Sequence, residues 1–261
     1  TIDALGNVNL SPFSFFNAIG SNPPMVIFSP ARSGRDNTTK HTLDNADAMK
    51  EVVINIVNYP IVQQMSLASS AYPKGVNEFV KAGLTPIPSE LVKPFRVKES
   101  IVQMECKVRD IIRTGETGGA GNIIICEIVL MHIDESILDE NGRPDPYKMD
   151  LVARMGGEYY CRVIPESIFA LAQPKDGSAL GIDKLPEYIR NSSILTGNNL
   201  GQLGVFAHHP TKEEVEAIAH LMRHHMSWQE IELQAKILID KGEAWEGFKV
   251  LMMKEYGLIT L

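Results

Sequence analysis

The sequence predicts a mainly β fold, a barrel or a sandwich, followed by a small helical unit. Three observations carry this prediction. In Ile101 to Ile112, Val102, Met104, Cys106 and Val108 alternate with Gln103, Glu105, Lys107 and Arg109, the period of two expected of a sheet with one wet face. Several short apolar runs with few helices between them fill the first 165 or so residues, against a doubly wound sheet. The last fifty residues change to helical spacing.

In chain order, Val8 to Ile19 is a Phe-rich strand in which Pro12 points to an edge or a bulge. Met25 to Ser29 is a short apolar strand, and Glu51 to Tyr59 contains Val52-Val53-Ile54-Asn55-Ile56-Val57. Helices are predicted over Thr39 to Lys50, Ile61 to Ser70 and Val76 to Ala82. Ile123 to Ile133 is apolar except at Glu127 and His132, so burial on both faces is expected. Gly115 to Gly121 turns between this strand and the one before it, which predicts an antiparallel pair. Residues 166–210 read as a loop-rich connection. In 211–261, Thr211 with Glu214 and Ser227 with Glu230 fit capping boxes. Val215, Ile218, Ala219, Met222 and Met226 share a face of the first of these helices, and Ile231, Ala235 and Leu238 follow the second box. Gly242 then breaks the chain before a third helix with Trp245, Phe248 and Met252.

The 261 residues carry 25 Lys+Arg against 32 Asp+Glu, a net charge of −7, which disfavours a general binder of nucleic acid or anionic membrane. The helical tail, with six Lys/Arg against nine Asp/Glu, has the wrong sign for a DNA reader. No apolar run reaches the roughly 18 residues of a membrane span. Cys106, Cys126 and Cys161 are too widely spaced for a zinc knuckle or a redox dithiol, and a reduced, cytoplasmic setting is expected.

Two stretches carry chemistry. Ser29 to Thr42 packs Arg32, Arg35, Lys40 and His41 with Ser33, Thr38, Thr39 and Thr42 around Gly34, after a strand and before a helix. Cations, hydroxyls and free N–H groups at a helix start suit a phosphate monoester; a solvated loop is the plainer alternative. In Asn9 to Asn17, a bulged edge would offer free backbone groups beside Ser11, Ser14 and Asn17 to the polar rim of a planar heterocycle. The simpler alternative makes Phe13, Phe15 and Phe16 core residues. The glycine-rich stretch Gly197 to Gly204 does not match a dinucleotide fingerprint. His220 and His224, with His225, His208 and His209, have spacing that could hold zinc, but a polar helix face is the favoured reading.

These stretches, taken with others in order, resemble the flavin reductase-like family of FMN-binding split barrels, and within it the flavoredoxin-like subgroup. The resemblance is carried by Gly6 to Asn17, Asn22 to Ser29, Lys40-His41-Thr42 with Asn45, Val53 to Ile56, Pro73 to Phe79, and Ile125 to Val129 with His132. It covers roughly residues 1–165. It implies a six-stranded antiparallel Greek-key barrel that forms a homodimer with FMN near the interface. The segment Ser11, Pro12, Phe13, Ser14, Phe15 and Asn17 would edge the isoalloxazine. Arg35, Lys40, His41 and Thr42 would hold the phosphate on a loop that begins at Ser29, with Lys74 and His132 as further flavin neighbours. Family members carry one more strand ahead of the position of Thr1, so a preceding strand is expected.

The expected organisation is thus an FMN-binding split barrel over 1–165, a connection over 166–210 and a helical extension over 211–261. The resemblance implies flavin-dependent electron transfer with NADH or NADPH as donor. An electron carrier of the flavoredoxin type with tightly bound FMN and a protein redox partner stays open beside it, as does an FMN-binding module without turnover. No acid–base residue is assigned, because flavin N5 can take a hydride directly.

Overall fold

The computed structural model describes residues 1–171, 173–174, 177–220 and 226–259. Met222, His224 and His225 lie outside the described residues. The chain divides into two compact units, 1–169 and 170–261.

Unit 1 runs β1 (Phe16–Ser21), β2 (Pro24–Phe28), α1 (His41–Met49), β3 (Glu51–Asn55), α2 (Val62–Ala68), α3 (Glu78–Ala82), β4 (Pro86–Ile87), β5 (Arg96–Val97), β6 (Val102–Arg113), β7 (Asn122–Ile133), β8 (Val152–Gly156) and β9 (Tyr159–Arg162). Its main sheet is antiparallel, in the order β1-β2-β7-β6-β3. The β6–β7 hairpin therefore inserts between β2 and β3, a Greek-key crossing with the long connection placed first. The sheet has five strands among the described residues, not the six expected. Strands β4–β5 and β8–β9 form separate two-stranded ladders.

The period-two reading of β6 places its apolar face correctly: Val102, Met104, Cys106 and Val108 are buried with Val26, Phe28, Val52, Ile124 and Cys126, under Leu43 and Ala46 of α1. The other face is wet only in part: Arg109 is exposed and Lys107 half-exposed. Gln103 and Glu105 are buried as well and are satisfied by hydrogen bonds. Strand β1 is shorter than Val8 to Ile19. Val8 makes only an isolated bridge to Ile2, Ser11 to Phe15 form no ladder, and regular pairing starts at Phe16. Pro12, lacking an N–H, suits this irregular approach. Likewise β3 ends at Asn55 rather than reaching Tyr59.

Unit 2 holds α4 (Glu187–Arg190), α5 (Gly197–Gly204), α6 (Lys212–Ala219), α7 (Trp228–Asp240) and α8 (Ala244–Met252). Both predicted capping boxes are present: Thr211 with Glu214 opens α6, and Ser227 with Glu230 opens α7. The 166–210 connection is more structured than its composition implied. Thr196 and Asn199 form a third box that opens α5. Of the glycines of α5, Gly204 serves close packing, since a Cβ on it would stand 3.1 Å from the carbonyl carbon of Gly181. The apolar stripes of α6, α7 and α8 cover one another and α4 and α5, around Ile189, Leu203, Val215, Ile231, Ile239 and Phe248. With this helical unit and three helices in unit 1, the chain is a mixed α and β protein rather than a mainly β one.

Candidate functional site

The loop between β2 and α1 is built as a rigid cradle. Its first residue, Ser29, donates its N–H to the Phe15 carbonyl at 2.9 Å, which fixes the loop against the segment before β1. The Ser29 hydroxyl accepts the N–H of Asn122 at 3.0 Å, and the buried Asn122 amide donates to the Pro30 carbonyl at 2.9 Å. Arg32 exchanges backbone bonds with the β6–β7 turn, donating to Ala120 and accepting from Gly119. Gly118 is required there, because a Cβ would stand 3.0 Å from the Ser33 carbonyl oxygen.

Within the loop the Arg32 guanidinium donates to the side chain and backbone carbonyls of Asn37, at 2.7 and 2.6 Å, and Asn37 holds a left-handed φ of 57°. The Asp36 carboxylate accepts from the N–H and hydroxyl of Thr38. Bonds from Ser33 first and Thr38 next pull its pKa to about 2, so it is a fixed structural anion.

Lys40 ends the loop in extended conformation just ahead of α1 and offers that helix no side-chain cap. An α-helix leaves its first N–H groups without internal partners, here those of His41 and Thr42. The Thr42 hydroxyl is buried and accepts from the Asn9 amide at 2.9 Å. That bond ties α1 to the segment Asn9 to Phe15, which Glu78 also holds through the Leu10 N–H. Phe13 stacks obliquely on Phe28 at 5.9 Å, half-buried against the core, whereas Phe15 is 70 % exposed.

Two cavities meet at this segment. A cleft of about 980 Å³ is bounded by the Arg32 to Thr42 loop and by Ser69 to Tyr72 after α2. A chamber of about 500 Å³ has mostly apolar walls, including Ile54, Ile56, Ile61 and Met65. Asn9, Ser11, Pro12, Phe13, Ser14 and Thr42 line both.

The structure thus brings together Ser11, Pro12, Phe13, Ser14, Phe15, Ser29, Arg35, Lys40, His41 and Thr42 around one cleft. Three predicted residues line neither cavity. Asn17 pairs with Ile27 within β1–β2. Lys74 precedes the turn at Gly75. His132 sits ten residues along β7 from Asn122, about 30 Å away at ~3.3 Å per residue. There its Nε2 meets the buried Glu105 carboxylate at 2.8 Å. Sequence reasoning missed the β8–β9 hairpin, which brings Arg154, Gly156 and Gly157 to the cleft and Arg154 and Tyr160 to the chamber. Its only signal was the Gly156-Gly157 turn between two short runs.

The histidines of unit 2 do not converge among the described residues. His209 meets the Lys184 carbonyl, His208 meets the His209 carbonyl, and His220 ends α6.

Comparisons with known proteins fit this arrangement. Residues 1–150 match the model of the flavin reductase like domain. A protein of Aquifex aeolicus (strain VF5) is 37 % identical over 166 residues, 64 % of this chain and 82 % of the relative. A structure assigned as a flavin reductase with split barrel domain, from Shewanella frigidimarina NCIMB 400, superposes with a TM-score of 0.57 at 30 % identity, covering 66 % of this chain and 83 % of that one. Nitrilotriacetate monooxygenase component B from Bacillus cereus superposes with a TM-score of 0.60 at 28 % identity, over 65 % of this chain and 83 % of that one. The fold of unit 1 is thus similar to that of a split barrel, and by the match over 1–150 the chain belongs to the flavin reductase-like family.

Proposed function

We propose that the chain is an FMN-binding flavin reductase that moves electrons from NADH or NADPH to flavin. One observation carries this reading: a cleft with unpaired cations opens beside an apolar chamber, and the two share a wall. Arg35 and Lys40 line the cleft and make no ion pair among the described residues, although the protein as a whole is acidic. Of the two carboxylates that line the cleft, Asp36 is spent inside the loop and Glu78 accepts the Leu10 N–H. Such a cleft lacks its anion, and the free N–H groups at the start of α1 add to the attraction.

The residues fit FMN. Arg35, Lys40 and His41 would hold the phosphate, with the Thr42 hydroxyl, fixed by Asn9, beside it. Ser11 to Phe15, free of sheet pairing, offer backbone groups to the ring edge, and the chamber takes the ring itself. When bound, the flavin accepts a hydride from the reduced nicotinamide. The protein binds, orients and keeps water from that exchange.

Fluorescence quenching should find FMN bound at least about tenfold more tightly than riboflavin, since one hydrogen bond to a charged group contributes ~1.5–3 kcal/mol. Adding NADH or NADPH without oxygen should then bleach the flavin absorbance. Equal affinity for the two flavins would remove the phosphate site. Bound FMN left oxidised by both donors would make the chain a carrier of the flavoredoxin type, with a protein redox partner, or a module without turnover.

A C2 homodimer with FMN near the interface belongs to the same reading. Strand β1 pairs only with β2, leaving its other edge open, and Phe15, Phe16 and Ile19 are 70, 37 and 52 % exposed beside it. An open edge with apolar side chains calls for cover. Light scattering should give twice the chain mass, and a monomer that still holds flavin would exclude the dimer. Nucleic acid and membrane are not partners in this reading; no described helix is long and apolar enough to cross a membrane. A cytoplasmic setting accords with Cys106, Cys126 and Cys161 all being free thiols.

A further inference from the structure

The β8–β9 hairpin follows the stretch matched by the family model, pairs only with itself and is exposed along both strands. Its Arg154 lines both the cleft and the chamber. Among the described residues lining the chamber it has the one charged side chain. No carboxylate pairs with it among the described residues. Its guanidinium is steadied by its own hairpin instead, donating to the Gly157 carbonyl and, at 3.3 Å, to the Tyr160 hydroxyl. Gly156 and Gly157 hold φ of 100° and 53°, the left-handed conformations that fold the Gly157 carbonyl back toward Arg154.

We infer that Arg154 is the charge that stabilises the reduced isoalloxazine, a statement that rests on the ring occupying the chamber. Transfer of a hydride, two electrons with one proton, turns the donor into an oxidised, cationic nicotinamide. It leaves one negative charge on a ring that was neutral. The chamber walls supply hydroxyl and amide dipoles but no other charged side chain. Arg35 and Lys40 line only the cleft. A fixed cation at the chamber wall lowers the energy of that anion, by less than an enclosed charge would, because Arg154 is itself exposed to water. Arg154 is thus a tuning residue, separate from the phosphate cations, and Arg162 cannot replace it because Asp150 holds its guanidinium at 2.7 Å.

The test is the midpoint potential of the FMN-loaded full chain, titrated without oxygen against a reference dye. Arg154→Met should shift the reduction equilibrium about tenfold toward oxidised flavin, a potential about 30 mV lower for a two-electron couple. Arg154→Lys should recover most of that shift. In the wild type the potential should fall by about 30 mV per pH unit between about pH 6 and 8, one proton per two electrons. That slope tests the anionic reduced ring on which the inference depends, and the variants test the assignment to Arg154. A wild-type slope near 59 mV, meaning a neutral reduced ring, would overturn the inference. An unchanged potential in Arg154→Met with FMN bound would overturn it too, as would equal losses in both variants. A wild type that takes up no FMN would overturn the flavin reading along with it, and that failure shows before any potential is measured.

Discussion

Lys40→Ala is expected to weaken FMN binding about 10- to 100-fold and to leave riboflavin binding nearly unchanged. Lys40 is half-buried, unlike the exposed Arg35, so its charge at the cleft wall is less screened by water. Among the described residues it makes no ion pair, and it gives α1 no side-chain cap, so its loss removes no such contact from the folded loop. Its ammonium stands where the N-terminus of α1 already favours an anion, so charge and helix dipole act together. A hydrogen bond to a charged group contributes about 1.5–3 kcal/mol, and every 1.4 kcal/mol is about tenfold in affinity. The deciding measurement is the pair of dissociation constants for FMN and riboflavin in wild type and variant. Equal loss for both would mean that Lys40 supports the ring or the fold. No loss for either would move the phosphate to Arg35, since Arg32 is committed to Asn37.

What was legible in the sequence tracks what is local in the fold. The β6–β7 hairpin shows itself because a period of two and a glycine-rich turn are properties of neighbouring residues. The capping boxes of α6 and α7 are legible for the same reason, being complete within four residues. The box of α5 follows that rule with Asn199 in the third position, but the three glycines of the stretch disguised it as loop. The cation cluster of Ser29 to Thr42 is contiguous in sequence and so was found, whereas the arrangement that makes it a cleft is not local. It depends on Asn122 from β7, Asn9 from the first segment and Gly118 from a distant turn. Arg154 contributes to the same walls from some 110 residues further along. Composition could not mark it, because a lone arginine between Ala153 and Met155 carries no pattern. His132 shows the converse. Its position in the resemblance pointed to flavin, yet the length of β7 carries it to the other end of the sheet, where it faces Glu105.

Glu105→Ala is expected to destabilise unit 1 by about 3–5 kcal/mol, the cost of breaking a buried charged network by removing one partner. The Glu105 side chain is fully buried on the polar face of β6. Its carboxylate accepts the N–H groups of Glu90, Leu91 and Val92 at 2.9, 2.6 and 3.2 Å, the His132 ring at 2.8 Å, and lies 3.8 Å from Arg96. It therefore serves as the acceptor around which residues 90–92 turn. Alanine would leave those donors facing a void, each unsatisfied group costing about 1–3 kcal/mol. Glu105→Gln, which keeps one carbonyl acceptor but places an amide donor among donors, should lose an intermediate amount. Burial pushes the Glu105 pKa up, but the N–H bonds of Glu90 and Leu91, with His132, outweigh it, so it lies below the ordinary 4.5. A carboxylate depressed in the folded state contributes its full stability above the unfolded value and loses it as pH falls through the folded one. Wild type should accordingly lose stability below about pH 4.5, and Glu105→Gln should lose less over that acid range. Urea denaturation at neutral and acid pH measures both effects. Because Glu105 lines neither cavity, FMN affinity of the folded fraction should not change. A Glu105→Ala protein within about 1 kcal/mol of wild type at neutral pH would show that residues 90–92 find other acceptors and that this carboxylate does not organise them.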